Sequence, residues 1–204
     1  MKIIIVGASG KIGREIDQAV PERHEVIRVG ATSGDVQCDY TSADSVRDMF
    51  TTIGPFDALV AVAGRDSTFR RFEELDDDDY RYGFERKYLG QVRLLVHGQA
   101  SIRDNGSFTF TSGFLSHYPN PVSIATGPLN AAIDTFVQNT SPLMPRGIRV
   151  NVVSPAPVVD PGREGHGLVT AAQCAEYYVD AVEGEMSGQV LRAWGGLDVP
   201  AITR

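Results

Sequence analysis

Gly7, Gly10 and Gly13 form a G-x-x-G-x-x-G loop, GASGKIG, directly after the apolar run KIIIV (Lys2 to Val6). That spacing suits a dinucleotide pyrophosphate. Gly7 permits a tight turn off a strand, Gly10 lets the backbone approach the phosphates, and Gly13 lets the next helix pack close to the sheet. The free N–H groups at the helix start then face the anion. Ser9 and Ile12 belong to the same cradle. Lys11 either reaches a ribose 2′-phosphate or stands as an exposed loop cation.

The end of the second strand discriminates between the two nicotinamide dinucleotides. An acid there holds the ribose 2′-OH; its absence leaves room for a 2′-phosphate. The stretch VIRVGATSGD places Thr32 and Ser33 near that point and brings its acid, Asp35, late. The expectation is NADP, with NAD as the alternative.

These candidates need a frame, and the chain supplies one. Strand patterns alternate with helix patterns along all 204 residues. KIIIV, EVIRV, VQCD, DALVAVAG, SFTFTS, IRVNVVS and GQVLRAW read as strands. Between them, KIGREIDQAV carries Ile12, Ile16 and Val20 at helical spacing and stops at Pro21; SADSVRDMFTTI begins at a capping Ser42; a long helix is expected over Asp77 to Ile102; further helices cover Thr126 to Val137 and TAAQCAEYYVDAV. Asp76 to Asp79 read as a solvated start to the long helix, where acids complement the dipole, and not as a metal site. The pattern predicts one α/β domain, residues 1–204: a Rossmann-type, doubly wound, parallel seven-stranded sheet with helices on both faces and strand order 3-2-1-4-5-6-7.

The totals exclude several classes. A net charge of -7 opposes a nucleic-acid surface or an acidic membrane. Cys38 and Cys174 lack the spacing of a zinc site or a disulfide framework. The N-terminus has no signal-peptide pattern and no stretch suits a membrane span, so a cytoplasmic protein is expected.

With these pieces in order, the chain resembles the short-chain dehydrogenase/reductase family over nearly its whole length. GASGKIG resembles the glycine motif of its atypical branch. CDY (Cys38 to Tyr40) matches the acidic position that meets the adenine, which gives that role to Asp39, with Tyr40 beside it. AVAG (Ala61 to Gly64) stands where the family has NNAG, keeps Ala63 and Gly64, and lacks both asparagines. RGIRVNVVSPAPV is similar to the sixth strand and the proline motif after it, which implies that Pro155 and Val158 meet the nicotinamide end. SGQVLRAWGG resembles the last strand.

The catalytic positions depart from the family. It uses a serine, a tyrosine as acid/base, a lysine four residues later and an asparagine on the preceding helix. Ser112 matches the serine; aligning NAAIDTF with KAAVEGF puts Thr126 at the tyrosine and Asn130 at the lysine; KYLG against NxxG puts Lys87 at the asparagine. A threonine hydroxyl is too weak an acid to replace a phenol of pKa about 10. The candidate donors are Lys87, whose pKa burial would lower, and the loop residues Tyr118 and His117, which otherwise pack as a pocket rim. The lid VDPGREGHGL is short and implies an open pocket; Arg163 and His166 on it meet an anionic substrate or stay solvated.

The resemblance implies an oxidoreductase passing hydride between a nicotinamide cofactor and a small carbonyl or alcohol. The alternative is an NADP(H)-loaded regulator or scaffold that kept the cradle and lost the chemistry. It also implies a homo-dimer or tetramer built on the long helices, with a small-molecule substrate as the other partner.

Overall fold

The computed structural model describes residues 1–64 and 68–200. Its central strand, β1 (Lys2–Val6), alternates between two cores: Ile3 and Ile5 join one apolar cluster, Ile4 and Val6 the other. All four are buried, as a strand covered on both faces requires. β2 (Glu25–Gly30) and β4 (Phe56–Ala61) flank it in parallel, with Ile3 opposite Val26 and Ala58. β3 (Val36–Gln37) lies beyond β2, while β5 (Ile102–Thr111) and β6 (Arg149–Pro155) continue beyond β4. Two short strands, β7 (Val158–Val159) and β8 (Val169–Thr170), pair apart from the sheet, so the seventh strand of the sheet is β9 (Val190–Ala193). The order β3-β2-β1-β4-β5-β6-β9 is the one expected. It reverses at β1 and β4, and the crevice at their carboxyl ends is where such a sheet takes a ligand.

Helices cover both faces. α1 (Lys11–Ala19) and α6 (Ala171–Glu183) pack one cluster through Ile16, Cys174 and Tyr178. α2 (Ala43–Ile53), α4 (Leu89–Gly98) and α5 (Thr126–Thr140) pack the other through Met49, Leu94 and Ile133. Ser42 caps α2 by accepting from the Ser45 amide at 3.3 Å. Asp76 caps α3 (Asp77–Gly83), accepting from the Asp78 and Asp79 amides at 2.9 and 3.0 Å.

The long helix expected over Asp77 to Ile102 is a correction. It is α3, then a π-helical turn (Phe84–Tyr88), then α4, which ends at Gly98. Ile102 begins β5, where it is buried opposite Phe56. A π turn adds one residue to a helical turn and is marked by no residue type of its own, so the sequence pattern does not reveal it. Among the described residues no helix is long and apolar enough to cross a membrane.

Candidate active site

Beyond β1 the chain turns at Gly7, whose φ of +93° favours glycine. A Cβ there would stand 2.9 Å from the Ala63 amide nitrogen, and one on Gly13 would stand 2.2 Å from the Gly7 carbonyl oxygen. The loop, the end of β4 and α1 are therefore pressed together by backbone contact. A Cβ on Gly10 would meet only the Gly7 carbonyl, at 3.2 Å, because Gly10 faces open space. α1 has no side-chain cap, unlike α2, α3 and α6. Its first N–H groups open into a cavity of about 490 Å³ lined by Ser9, Gly10, Lys11, Ile12, Tyr40 and Val158, among others. An uncapped helix start, a glycine that leaves space and a cleft of this size fit a dinucleotide pyrophosphate.

The inner end of this cavity is formed by Gly64, Lys87, Thr111 and Ser112. Gly64, Lys87 and Ser112 also line a second cavity of about 440 Å³, walled by Phe69, Phe114, Leu115, Pro155 and Pro157 and reached by Thr126 and Asn130. Lys87 thus stands between the two. The π turn that carries it is locked to β5 by Gln91, whose amide donates to the Lys87 and Thr111 carbonyls and accepts from the Thr111 amide at 2.8 Å. Its aliphatic stem passes where a Gly64 side chain would be: a Cβ there would lie 2.9 Å from Lys87 Cγ. The ammonium donates to the Ser112 carbonyl at 2.9 Å and to Asn130 Oδ1 at 2.8 Å. Burial pushes its pKa down to about 8, against the opposing pull of Asp134. Ser112 is held by its amide, which donates to the Val153 carbonyl at 2.9 Å, while its buried hydroxyl stands against the Asp134 carboxyl.

A family model described as Enoyl-(Acyl carrier protein) reductase matches residues 3–177. The protein lin1944 of Listeria innocua superposes with a TM-score of 0.89 at 34% identity, covering 95% of this chain and 100% of that one. The chain belongs to the short-chain dehydrogenase/reductase family. A small-chain dehydrogenase crystallised in complex with NADPH is 26% identical, with a TM-score of 0.86 over 96% of this chain and 97% of its own. An uncharacterized oxidoreductase of Methylorubrum extorquens is 29% identical over 174 residues, 81% of this chain and 66% of that protein, just under two thirds of its length.

Against the family's pattern, the four aligned positions fall in one place. Lys87 and Asn130 touch, Ser112 lies beside them, and Thr126 lines the same cavity with its hydroxyl donating to the Thr68 carbonyl at 3.1 Å. Tyr118 and His117 lie elsewhere. Tyr118 stacks on Phe114, its hydroxyl donates to the Asp198 carbonyl at 2.5 Å, and His117 packs on Trp194 with ring centroids 5.1 Å apart. Neither lines the two cavities. Tyr178 does reach the strand end, bonding the Thr111 hydroxyl at 2.7 Å, but burial raises its pKa and makes it a poor acid.

Of the cradle residues, Gly7, Ser9, Gly10, Lys11, Ile12, Tyr40, Ala63, Gly64 and Val158 line the first cavity, and Pro155 lines the second. Gly13 serves packing. Thr32 and Ser33 are exposed and outside both cavities. Lys11 is engaged with Asp160, its ammonium 2.7 Å from Oδ1. Asp35 accepts from the Arg28 amide at 2.8 Å, which ties the late acid back to β2. The Asp39 carboxylate accepts from the Thr41 amide and hydroxyl, and these bonds hold its pKa low. Arg163 and His166 are exposed and line neither cavity. Gln91 and Asp134 are not among the expected site residues. Asp134 is buried one turn beyond Asn130 on α5, and that i to i+4 spacing is the signal that reveals it.

Proposed function

We propose that the protein is an NADP(H)-dependent oxidoreductase acting on a small carbonyl or alcohol, with residues 1–204 as one dinucleotide-binding unit. The observation that carries this reading is the place of Lys87, which lines both cavities. The first cavity fits the cofactor, which when bound supplies or takes up a hydride. The second holds the substrate with its oxygen toward Lys87 and Ser112. The Ser112 hydroxyl, on the lining of both cavities, donates a hydrogen bond that orients the substrate oxygen. The Lys87 ammonium gives that oxygen its proton as the carbon is reduced and becomes the neutral amine. In the reverse direction the amine takes the proton. A pKa of about 8 suits both tasks near neutral pH. Phe69, Phe114, Leu115 and Pro157 give that cavity an apolar wall.

The preference for NADP(H) is supported by Lys11 at the cleft and by the engagement of Asp35 with Arg28. The outward side of α5 presents a shallow apolar groove lined by Tyr88, Pro128, Ala131, Ala132 and Phe136, which supports assembly with a second copy. The proposal is tested by titrating the fluorescence of NADPH with wild type and Gly10→Val. Saturable binding lost in the variant is expected. No binding to wild type at millimolar cofactor overturns the reading.

A further inference from the structure

Each proton that Lys87 gives up has to be replaced, yet Lys87 is buried. Its two hydrogen bonds go to the Ser112 carbonyl and Asn130 Oδ1, oxygens that carry no exchangeable proton. Replacement therefore needs other groups, and α5 supplies one. Asp134 lies one helical turn past Asn130 and is buried, and its Oδ1 has no hydrogen-bond partner. The Ser112 hydroxyl stands against that carboxyl and favours its charged form. Ser112 also lines the substrate cavity, so the carboxyl meets the cavity wall through it. On its other side, Asp134 Oδ2 accepts from the Ser116 hydroxyl at 3.4 Å, and Ser116 Oγ lies 3.0 Å from His117 Nδ1. His117 is half-buried. Groups able to carry a proton thus run in a row from that histidine to the wall of the substrate cavity.

We propose that His117, Ser116 and Asp134 form a proton path that resupplies Lys87 from solvent, a proposal that rests on the reading of Lys87 as the proton donor. His117 takes a proton from solvent and passes it through the Ser116 hydroxyl to the Asp134 carboxylate. The carboxyl then passes it across the gap beside Ser112 to the neutral Lys87 amine. One solvent proton enters for each proton lost to the substrate oxygen, and no electrons move along the path.

The charges are consistent with this direction. Asp134 is the charged group that acts on Lys87 and favours its protonated form. Asp134 is faced by Lys87 from the π turn, by Ser112, Ser116 and His117 at and after the end of β5, and by Arg192 from β9. Burial raises the pKa of the carboxyl while Ser112, His117, Ser116 and Arg192 oppose that rise, so it takes up a proton at a higher pH than a surface acid does.

Two measurements test the path. The first follows the lysine 13Cε signals of the cofactor-free protein against pH; Asp134→Asn should lower the midpoint of Lys87, and an unchanged midpoint overturns the proposal. The second compares steady-state turnover with NADPH affinity. His117→Gln should bind NADPH as wild type does, turn over about 10²-fold more slowly, and recover when imidazole is added to the buffer. Wild-type turnover in His117→Gln, or a loss that imidazole does not restore, overturns it. The histidine variant carries the test if Asp134→Asn does not fold. If Lys87→Met turns over like wild type, the donor reading falls and the path with it. If Lys87→Met is inactive and His117→Gln is as active as wild type, the path alone falls.

Discussion

Lys87 Nζ lies 2.8 Å from Asn130 Oδ1, so a cation from the π turn and an amide from α5 meet where both cavities close. The contact binds the two positions together energetically. A lysine at 130 would bury a second ammonium against the first, and an asparagine at 87 alone would remove the cation.

Asn130→Lys should therefore destabilise the fold by about 3 kcal/mol or more, the scale of an uncompensated buried charge. Adding Lys87→Asn should recover part of that loss, with a coupling of at least ~1 kcal/mol. Urea unfolding of wild type, both single variants and the double variant measures it; purely additive losses would show that the two side chains do not interact.

The buried ammonium also gives the fold a signature in pH. The pKa of Lys87 is lowered from 10.5 to about 8 in the native state, so the unfolded chain binds more protons between those values. Stability rises with pH wherever the unfolded state binds more protons. The cost of burying the charge is thus full below pH 8 and is relieved as pH climbs toward 10.5. Each pKa unit is worth about 1.4 kcal/mol, so the gain approaches ~3 kcal/mol. Unfolding free energies of wild type relative to Lys87→Met, taken from pH 7 to pH 10, should show this rise, and a flat difference would contradict it.

The glycines of the first loop should separate by role. Gly13→Ala forces a Cβ to 2.2 Å from the Gly7 carbonyl oxygen and should cost about 1–3 kcal/mol of stability. A Cβ on Gly10 meets only that oxygen, at 3.2 Å, so Gly10→Val should fold while losing NADPH. Thermal melts and cofactor titrations on both variants distinguish these outcomes; two variants that behave alike would contradict the assignment.

Lys11 is shared between the cleft and Asp160. Releasing it with Asp160→Asn should tighten NADPH binding by roughly two- to five-fold, in keeping with the small worth of an exposed ion pair, and should lose that gain in high salt. Calorimetry at two ionic strengths checks it. Weaker binding in the variant would mean that Asp160 supports the cofactor site.

Much of the frame could be read from residue types because burial writes itself into them. The β-branched run Lys2 to Val6, the capping Ser42 and the glycine loop each carry their cause locally. The site was less visible, since it depends on which elements meet. Nothing near Lys87 in sequence indicates that its helix takes a π turn or that its ammonium crosses Gly64 to reach α5. Asp134 shares a face of α5 with Asn130 by its spacing, but its contacts with Ser112 and Ser116 depend on where β5 ends. Tyr118 drew notice for its phenol, but its hydroxyl is spent on the Asp198 carbonyl, far along the chain.

The most direct test of the account is the Lys87→Met variant, assayed for NADPH oxidation with an activated aldehyde and, in parallel, for NADPH affinity. Met keeps an apolar stem of similar length and removes the ammonium, with its proton and its two hydrogen bonds. The account predicts that turnover falls by about 10²- to 10⁴-fold, the usual worth of a positioned general acid, while cofactor affinity stays near that of wild type. Turnover that survives the substitution would contradict it and move the proton donor away from the wall between the two cavities.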